Sequence, residues 1–220
     1  ALNGQIKLRG DGRDQTFFLA LMGEMRVTSH DYEWQRTNPR SGFEFTSSTS
    51  LSRQGLLADL SAAVFTVRYG HLFPIPVEGK RQFILGVRGG FSTTATEVKE
   101  GGLANLPNNM RHYLGGSTNL RGFAFLELPD ANGGLTSVYA GVEGRGAGLI
   151  PFNLEPYLFV DVGSVSRAAL DLTAPWYLSP GAGIRWGSMV GVFRASLARG
   201  YALALANKSA EHWQLHFSYG

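Results

Sequence analysis

Trp213-Gln-Leu-His-Phe-Ser-Tyr219 alternates without a break. Trp213, Leu215, Phe217 and Tyr219 share one parity; Gln214, His216 and Ser218 share the other. Successive side chains of a strand point to opposite faces, so this stretch marks a strand over Glu211–Tyr219 with one greasy and one polar face. The same period recurs upstream at 189–201, 176–187, 155–166, 135–149, 81–94, 56–70, 41–51, 16–28 and 3–9. No helical periodicity runs longer than a turn or two. The pattern therefore predicts an all-β chain of about ten antiparallel strands, or twelve if one long segment hides a hairpin.

Some segments are less regular. In 56–70, Asp59 and Ser61 share a parity with Phe65 and Tyr69, which predicts a bulge or an aromatic interior. Residues 73–79 read as a connector, because Pro74 and Pro76 do not suit a central strand. Asp11-Gly-Arg-Asp14 and Ser52-Arg-Gln-Gly55 read as tight turns, and 29–40 as a polar loop.

Composition decides where such a sheet would live. Apolar residues reach 44% against 17% charged, which excludes disorder. No run approaches the roughly 20 apolar residues of a membrane helix, but a membrane barrel signals itself by alternation. Several segments approach the roughly 9–11 residues needed to cross a bilayer as a strand. Trp176, Tyr177, Trp186, Tyr201, Trp213 and Tyr219 sit near strand ends, where interfacial girdles form. The reading is a single transmembrane antiparallel β-barrel domain over 1–220, apolar face toward lipid and polar face toward a lumen. There is no cysteine, so disulfides and thiolate metal sites are excluded, and neither a metal nor a cofactor is expected. A net charge of +3, scattered along the chain, gives no nucleic-acid footprint. The N-terminus carries no export-signal pattern, as expected of a mature chain.

Between 95 and 134 the alternation lapses, and a stretch that long is expected to be a functional loop. It contains Tyr113-Leu-Gly-Gly-Ser-Thr-Asn-Leu-Arg-Gly-Phe123, in which Gly115, Gly116 and Gly122 flank Leu120, Arg121 and Phe123. Parity on 135–149 sends Val138, Ala140 and Val142 outward, so Glu143 and Arg145 face inward. On 155–166 it sends Leu158, Val160 and Val162 outward, so Phe159, Asp161 and Gly163 face inward. Two carboxylates in a narrow interior call for a cation. Arg121 is the candidate donor, with its planar fork suited to carboxylates. Neutralisation of Glu143 by Arg145, or by water in the lumen, are the alternatives.

Three motifs in this order, Leu120-Arg-Gly-Phe123, Val142-Glu-Gly-Arg145 and Phe159-Val-Asp-Val-Gly163, resemble the outer-membrane superfamily of BamA, TamA and the two-partner secretion transporters. The resemblance covers roughly the second half of the chain. It implies a loop motif folded into the barrel onto the Asp-bearing strand and its Glu-bearing neighbour. It also implies a non-enzymatic protein of the bacterial outer membrane that helps protein or lipid into or across the bilayer. The implied partners are outer-membrane lipids and client outer-membrane proteins, and a homodimer would be one way to assemble. The chain departs from the family in length: family barrels have sixteen strands and follow polypeptide-transport-associated domains, for which a strand beginning near Asn3 leaves no room. The short first segment, with Gly4, Ile6 and Leu8, would pair weakly with Trp213, Leu215, Phe217 and Tyr219. In the family that seam is a lateral gate.

Two other functions compete with this reading. An outer-membrane protease or lipid-modifying barrel needs a His with a carboxylate or Ser at the rim. Among His30, His71, His112, His212 and His216 no convincing dyad is legible, since neighbours along a strand face opposite ways. A passive small pore conflicts with a loop that fills the lumen.

Overall fold

The computed structural model describes residues 2–8, 15–32, 39–55, 58, 60–77, 81–98, 100–188, 190–203 and 212–219. The expected turn at 11–14, together with Arg9, Asp59 and Glu211, lies outside them. The strands are β1 (Leu2–Leu8), β2 (Gln15–Thr28), β3 (Asp31–Tyr32), β4 (Pro39–Ser52), β5 (Ala62–Pro76) and β6 (Gln82–Thr96). After a long connection come β7 (Thr136–Ala147), β8 (Leu154–Ser166), β9 (Trp176–Ser188), β10 (Gly191–Arg199), β11 (Tyr201–Ala202) and β12 (Trp213–Tyr219). Ten of them form one continuous antiparallel path, β1-β2-β4-β5-β6-β7-β8-β9-β10-β12; β3 and β11 are two-residue additions to β4 and β9. Strands β2 and β4 to β9 run to 12–15 residues, beyond the roughly 9–11 a bilayer crossing needs.

The sheet curls. β4 and β8 are four steps apart, about 19 Å on a flat sheet. Yet Arg40 of β4 and Glu155 of β8 form an ion pair at 2.6 Å across the concave side. The convex side carries Leu21, Met25, Val27, Leu51, Phe65, Val142, Leu158, Val160, Leu197, Leu215 and Phe217, all exposed. That much contiguous apolar surface suits hydrocarbon and not water. Trp186, Phe193 and Tyr219 cluster at one rim, with centroid distances of 5.5 and 4.9 Å; Trp213 stands at the other end of β12.

Connections at the two ends differ. β5–β6, β7–β8 and β9–β10 are joined at the end where Leu2 and Tyr219 lie, as is β2–β4; β6–β7, β8–β9 and β10–β12 are joined at the other. Barrels of outer membranes put short turns in the periplasm and long loops outside. The longest connection turns inward. Its 3-10 turns Glu100–Asn105 and Asn108–Met110 bring Leu103, Leu106 and Met110 against Ala20, Ala62 and Val64 of the concave face. Farther along, Leu114, Leu120, Phe123 and Leu128 pack on Val165 and Tyr177.

Four expectations are corrected. Pro74 and Pro76 belong to β5, opposite Ile84 and Gln82. The ladder with β4 ends at Leu72, so among the described residues that edge of β5 has no partner beyond it, and Val77 N–H donating to Arg81 shows that the even positions face that edge. A missing N–H costs nothing on that side. No bulge interrupts β5, which pairs with β6 residue by residue, and Phe65 and Tyr69 face outward. Tyr177 is no girdle residue: it is buried on the concave side against Phe123. Finally, the short ladder expected between first and last strands is not formed; β1 (with Gly4, Ile6 and Leu8) pairs with β2 alone and β12 with β10 alone.

Candidate functional site: an arginine held by two strands

The inward loop closes on itself before it reaches the sheet. His112 and Gly134 exchange backbone hydrogen bonds at 2.8 Å, as do Leu114 and Leu128 at 3.0 Å. Inside this stem, Asn119 Oδ1 accepts from the N–H groups of Gly115 (2.8 Å) and Leu120 (2.7 Å). Gly115 sits at φ +114°, and a Cβ there would meet Ala124 O at 2.0 Å, so no other residue fits. The tip is thereby fixed with Arg121 at its apex. Gly122 N–H donates to Ser179 Oγ of β9 at 3.0 Å, and Gly122 lies so close to Gly200 that a Cβ would approach Gly200 N to 2.6 Å.

Arg121 is buried between two strands. Its Nε donates to Asp161 Oδ2 at 2.8 Å, Nη2 to Asp161 Oδ1 at 2.9 Å, and Nη1 to Glu143 Oε2 at 2.5 Å. The first two form the bidentate fork that a guanidinium and a carboxylate favour. Cζ lies 3.3 Å from the centroid of the Phe159 ring, so the fork is also stacked on an aromatic face. Asp161 is fully buried and accepts a further hydrogen bond from Arg88 Nη2 at 2.9 Å. Glu143 is shared as well, with Arg145 Nε at 3.4 Å and Arg185 Nη1 at 3.9 Å. The Arg145 alternative is thus present alongside Arg121 rather than instead of it. Gly163 makes the seat for the loop: a Cβ there would stand 3.0 Å from Leu114 Cδ1 and 3.2 Å from Leu120 Cδ1. Leu120 and Phe123 are completely buried, and Phe123 meets Tyr177 edge-on at 5.4 Å.

The structure thus brings Arg121, Glu143, Asp161, Phe159 and Gly163 together around one loop. Residues 27–220 match the Omp85 superfamily domain. The chain belongs to the Omp85 superfamily. Its fold is similar to that in the crystal structure of BamA from Haemophilus ducreyi lacking POTRA domains 1-3, with a TM-score of 0.70 at 18% identity. The likeness covers 96% of this chain and 44% of that one, so the chain spans under half the length of the BamA chain it matches. No curated protein matches it in sequence.

Several partners in this Omp85 barrel escape a reading of single strands. Arg88 and Ser179 reach the loop from strands that give no parity link to Arg121, and Asn119 fixes the loop from within. Gly141 faces Asp161 across the β7–β8 ladder and leaves the space that its carboxylate occupies. The concave face also carries more cations than anions. Arg40, Arg88, Arg121, Arg145, Arg185 and Arg194 stand around Glu143, Glu155 and Asp161. The described histidine–carboxylate pairs are His30–Glu44 at 3.8 Å and His212–Glu127 at 3.3 Å, and neither belongs to the Arg121 cluster.

Proposed function

We propose that this Omp85 barrel assists the insertion or transfer of protein or lipid in the bacterial outer membrane, at the edge between β1 and β12. One observation carries the reading: among the described residues each of these strands has a single partner, so the sheet offers two free edges beside its lipid-facing surface. A free edge exposes a row of backbone N–H and C=O groups, each costing several kcal/mol if left unsatisfied in hydrocarbon. Such an edge accepts an added strand, which makes it a template for a client that is itself a β-barrel. The Arg121 loop acts as a brace, holding β7 and β8 in place while the edge strands exchange partners. Catalysis plays no part in this activity.

The test is site-specific photocross-linking in vesicles with an unfolded eight-stranded outer-membrane protein as client. Photoreactive residues replace Leu215 or Phe217 on β12, or Leu158 on β8 as the lipid-facing control. Client adducts should form from Leu215 and Phe217 and not from Leu158. Equal yields from all three positions would remove the edge from the mechanism.

A further inference from the structure

On the concave side, toward the short-turn end, lies a cavity of about 200 Å³ lined by Arg88, Arg145, Arg185, Arg194, Glu143 and His30, among others. Its charges do not balance. Arg88 is committed to Asp161, Glu143 is already divided among Arg121, Arg145 and Arg185, and Glu155, which stands opposite Arg185 on the β8–β9 ladder, is paired with Arg40. Arg194 stands directly opposite Arg185 on the β9–β10 ladder. Like charges directly opposite on neighbouring strands repel, and partial burial strengthens the repulsion. Arg194 Nε is buried without a hydrogen-bond partner among the described residues.

We propose that this cavity binds a phosphate group, held between Arg185 and Arg194. Two guanidinium forks on adjacent strands match an anion with several oxygens and a charge above one. Such an anion would turn the cross-strand repulsion into a bridge. Phosphate can arrive free from solution or as the headgroup of a lipid. The lipid route is short: only β12 separates β10 from the free edge. Ile184, Trp186, Phe193, Phe217 and Tyr219 line an apolar groove of about 490 Å³ on the convex face of the same strands, so a lipid seated there would bring its headgroup to the cavity around the edge of β12. Binding of this kind requires no opening of the edge, so it stands or falls apart from the insertion activity.

The full chain in a phosphate-free nonionic detergent serves for both arms of the test. Inorganic phosphate is titrated calorimetrically against chloride at matched ionic strength. Separately, phosphatidylglycerol or a phosphate-free diacylglycerol is added before native mass spectrometry. Binding in the first arm marks free phosphate as the ligand, and retention of phosphatidylglycerol alone marks a lipid headgroup. Arg194→Gln should weaken whichever is bound by about tenfold or more, the loss of one charge-assisted hydrogen bond. Arg194→Lys should keep part of the affinity, and Arg68→Gln, on β5 outside the cavity, should keep all of it. Heat-modified migration on a gel checks that each variant is folded. The proposal is overturned if neither ligand binds, if diacylglycerol is retained as well as phosphatidylglycerol, or if folded Arg194→Gln binds like the wild type. Should Arg194→Gln not fold, phosphate bound no better than chloride by the wild type, with no selective lipid retention, overturns it equally.

Discussion

Gly141 and Asp161 face each other across the β7–β8 ladder, and a Cβ on residue 141 would stand 2.4 Å from Asp161 Oδ1. The glycine is therefore what lets a carboxylate lie flat beneath Arg121. Gly141→Ala should push the carboxylate aside and spoil the bidentate geometry while leaving every charge in place. We expect a loss of about 1–3 kcal/mol, in the range for overpacking a close contact. Urea unfolding followed by heat-modified migration measures it.

Arg121→Ala removes the cation itself. Asp161 keeps Arg88, and Glu143 keeps Arg145 and Arg185, but the partner in the fork is lost. Breaking a buried pair by deleting one member costs about 3–5 kcal/mol. The folded fraction on a gel should fall, and Arg121→Lys should restore little of it, because an ammonium cannot make the fork or stack on Phe159.

The loop 97–135 carries two apolar clusters that fill the concave side, which leads to an electrical prediction. Wild-type protein in planar bilayers should show no steady open current. Replacing residues 100–132 by a short Gly-Ser linker should produce stepwise conductance. A steady current in the wild type would mean that the loop does not block the passage.

Acid should loosen the loop. Burial lowers the pKa of His112 from 6.5 to about 4, and the Arg68 charge adds to the effect, with Thr94 Oγ1 hydrogen-bonded to its Nε2. The unfolded chain then takes up a proton below about 6.5 that the folded chain refuses until about 4, so stability falls with pH across that window. Asp171 contributes in the same direction. Its pKa is held below the usual value by hydrogen bonds from the Ser166 hydroxyl, and then from the Thr173 N–H and hydroxyl. The stability it adds is present above its unfolded pKa and is lost as pH falls through the folded one. An NMR titration should place the His112 midpoint near 4, and His112→Gln should flatten the stability profile between about 6.5 and 4.

How much of this is written in single strands can be traced residue by residue. The run Trp213–Tyr219 declares its two faces because every second residue is large and apolar; β7 does so through Val138, Ala140 and Val142, and β8 through Leu158, Val160 and Val162. Parity suffices to put Glu143 and Asp161 on one face. It does not choose between Arg121, Arg145 and Arg88 as their partner, because that depends on register between strands and on where the loop folds. Pro74 and Pro76 mislead for a related reason: whether a strand position faces a neighbour is a property of the sheet, not of the strand. Tyr177 shares the amphipathic chemistry of Trp176, which suggests a girdle, but it has the parity of Ser179 and Arg185, and the structure packs it inward on Phe123.

The measurement that bears most directly on the whole account is a double-mutant cycle on Arg121 and Asp161. Unfolding of Arg121→Ala, Asp161→Ala and the double variant would be followed in urea with the protein in lipid vesicles. If the buried fork braces the barrel, the two losses are strongly non-additive, with a coupling of about 1–3 kcal/mol. Losses that sum to within about 0.5 kcal/mol would show that the two groups act independently, and the brace would have to be abandoned.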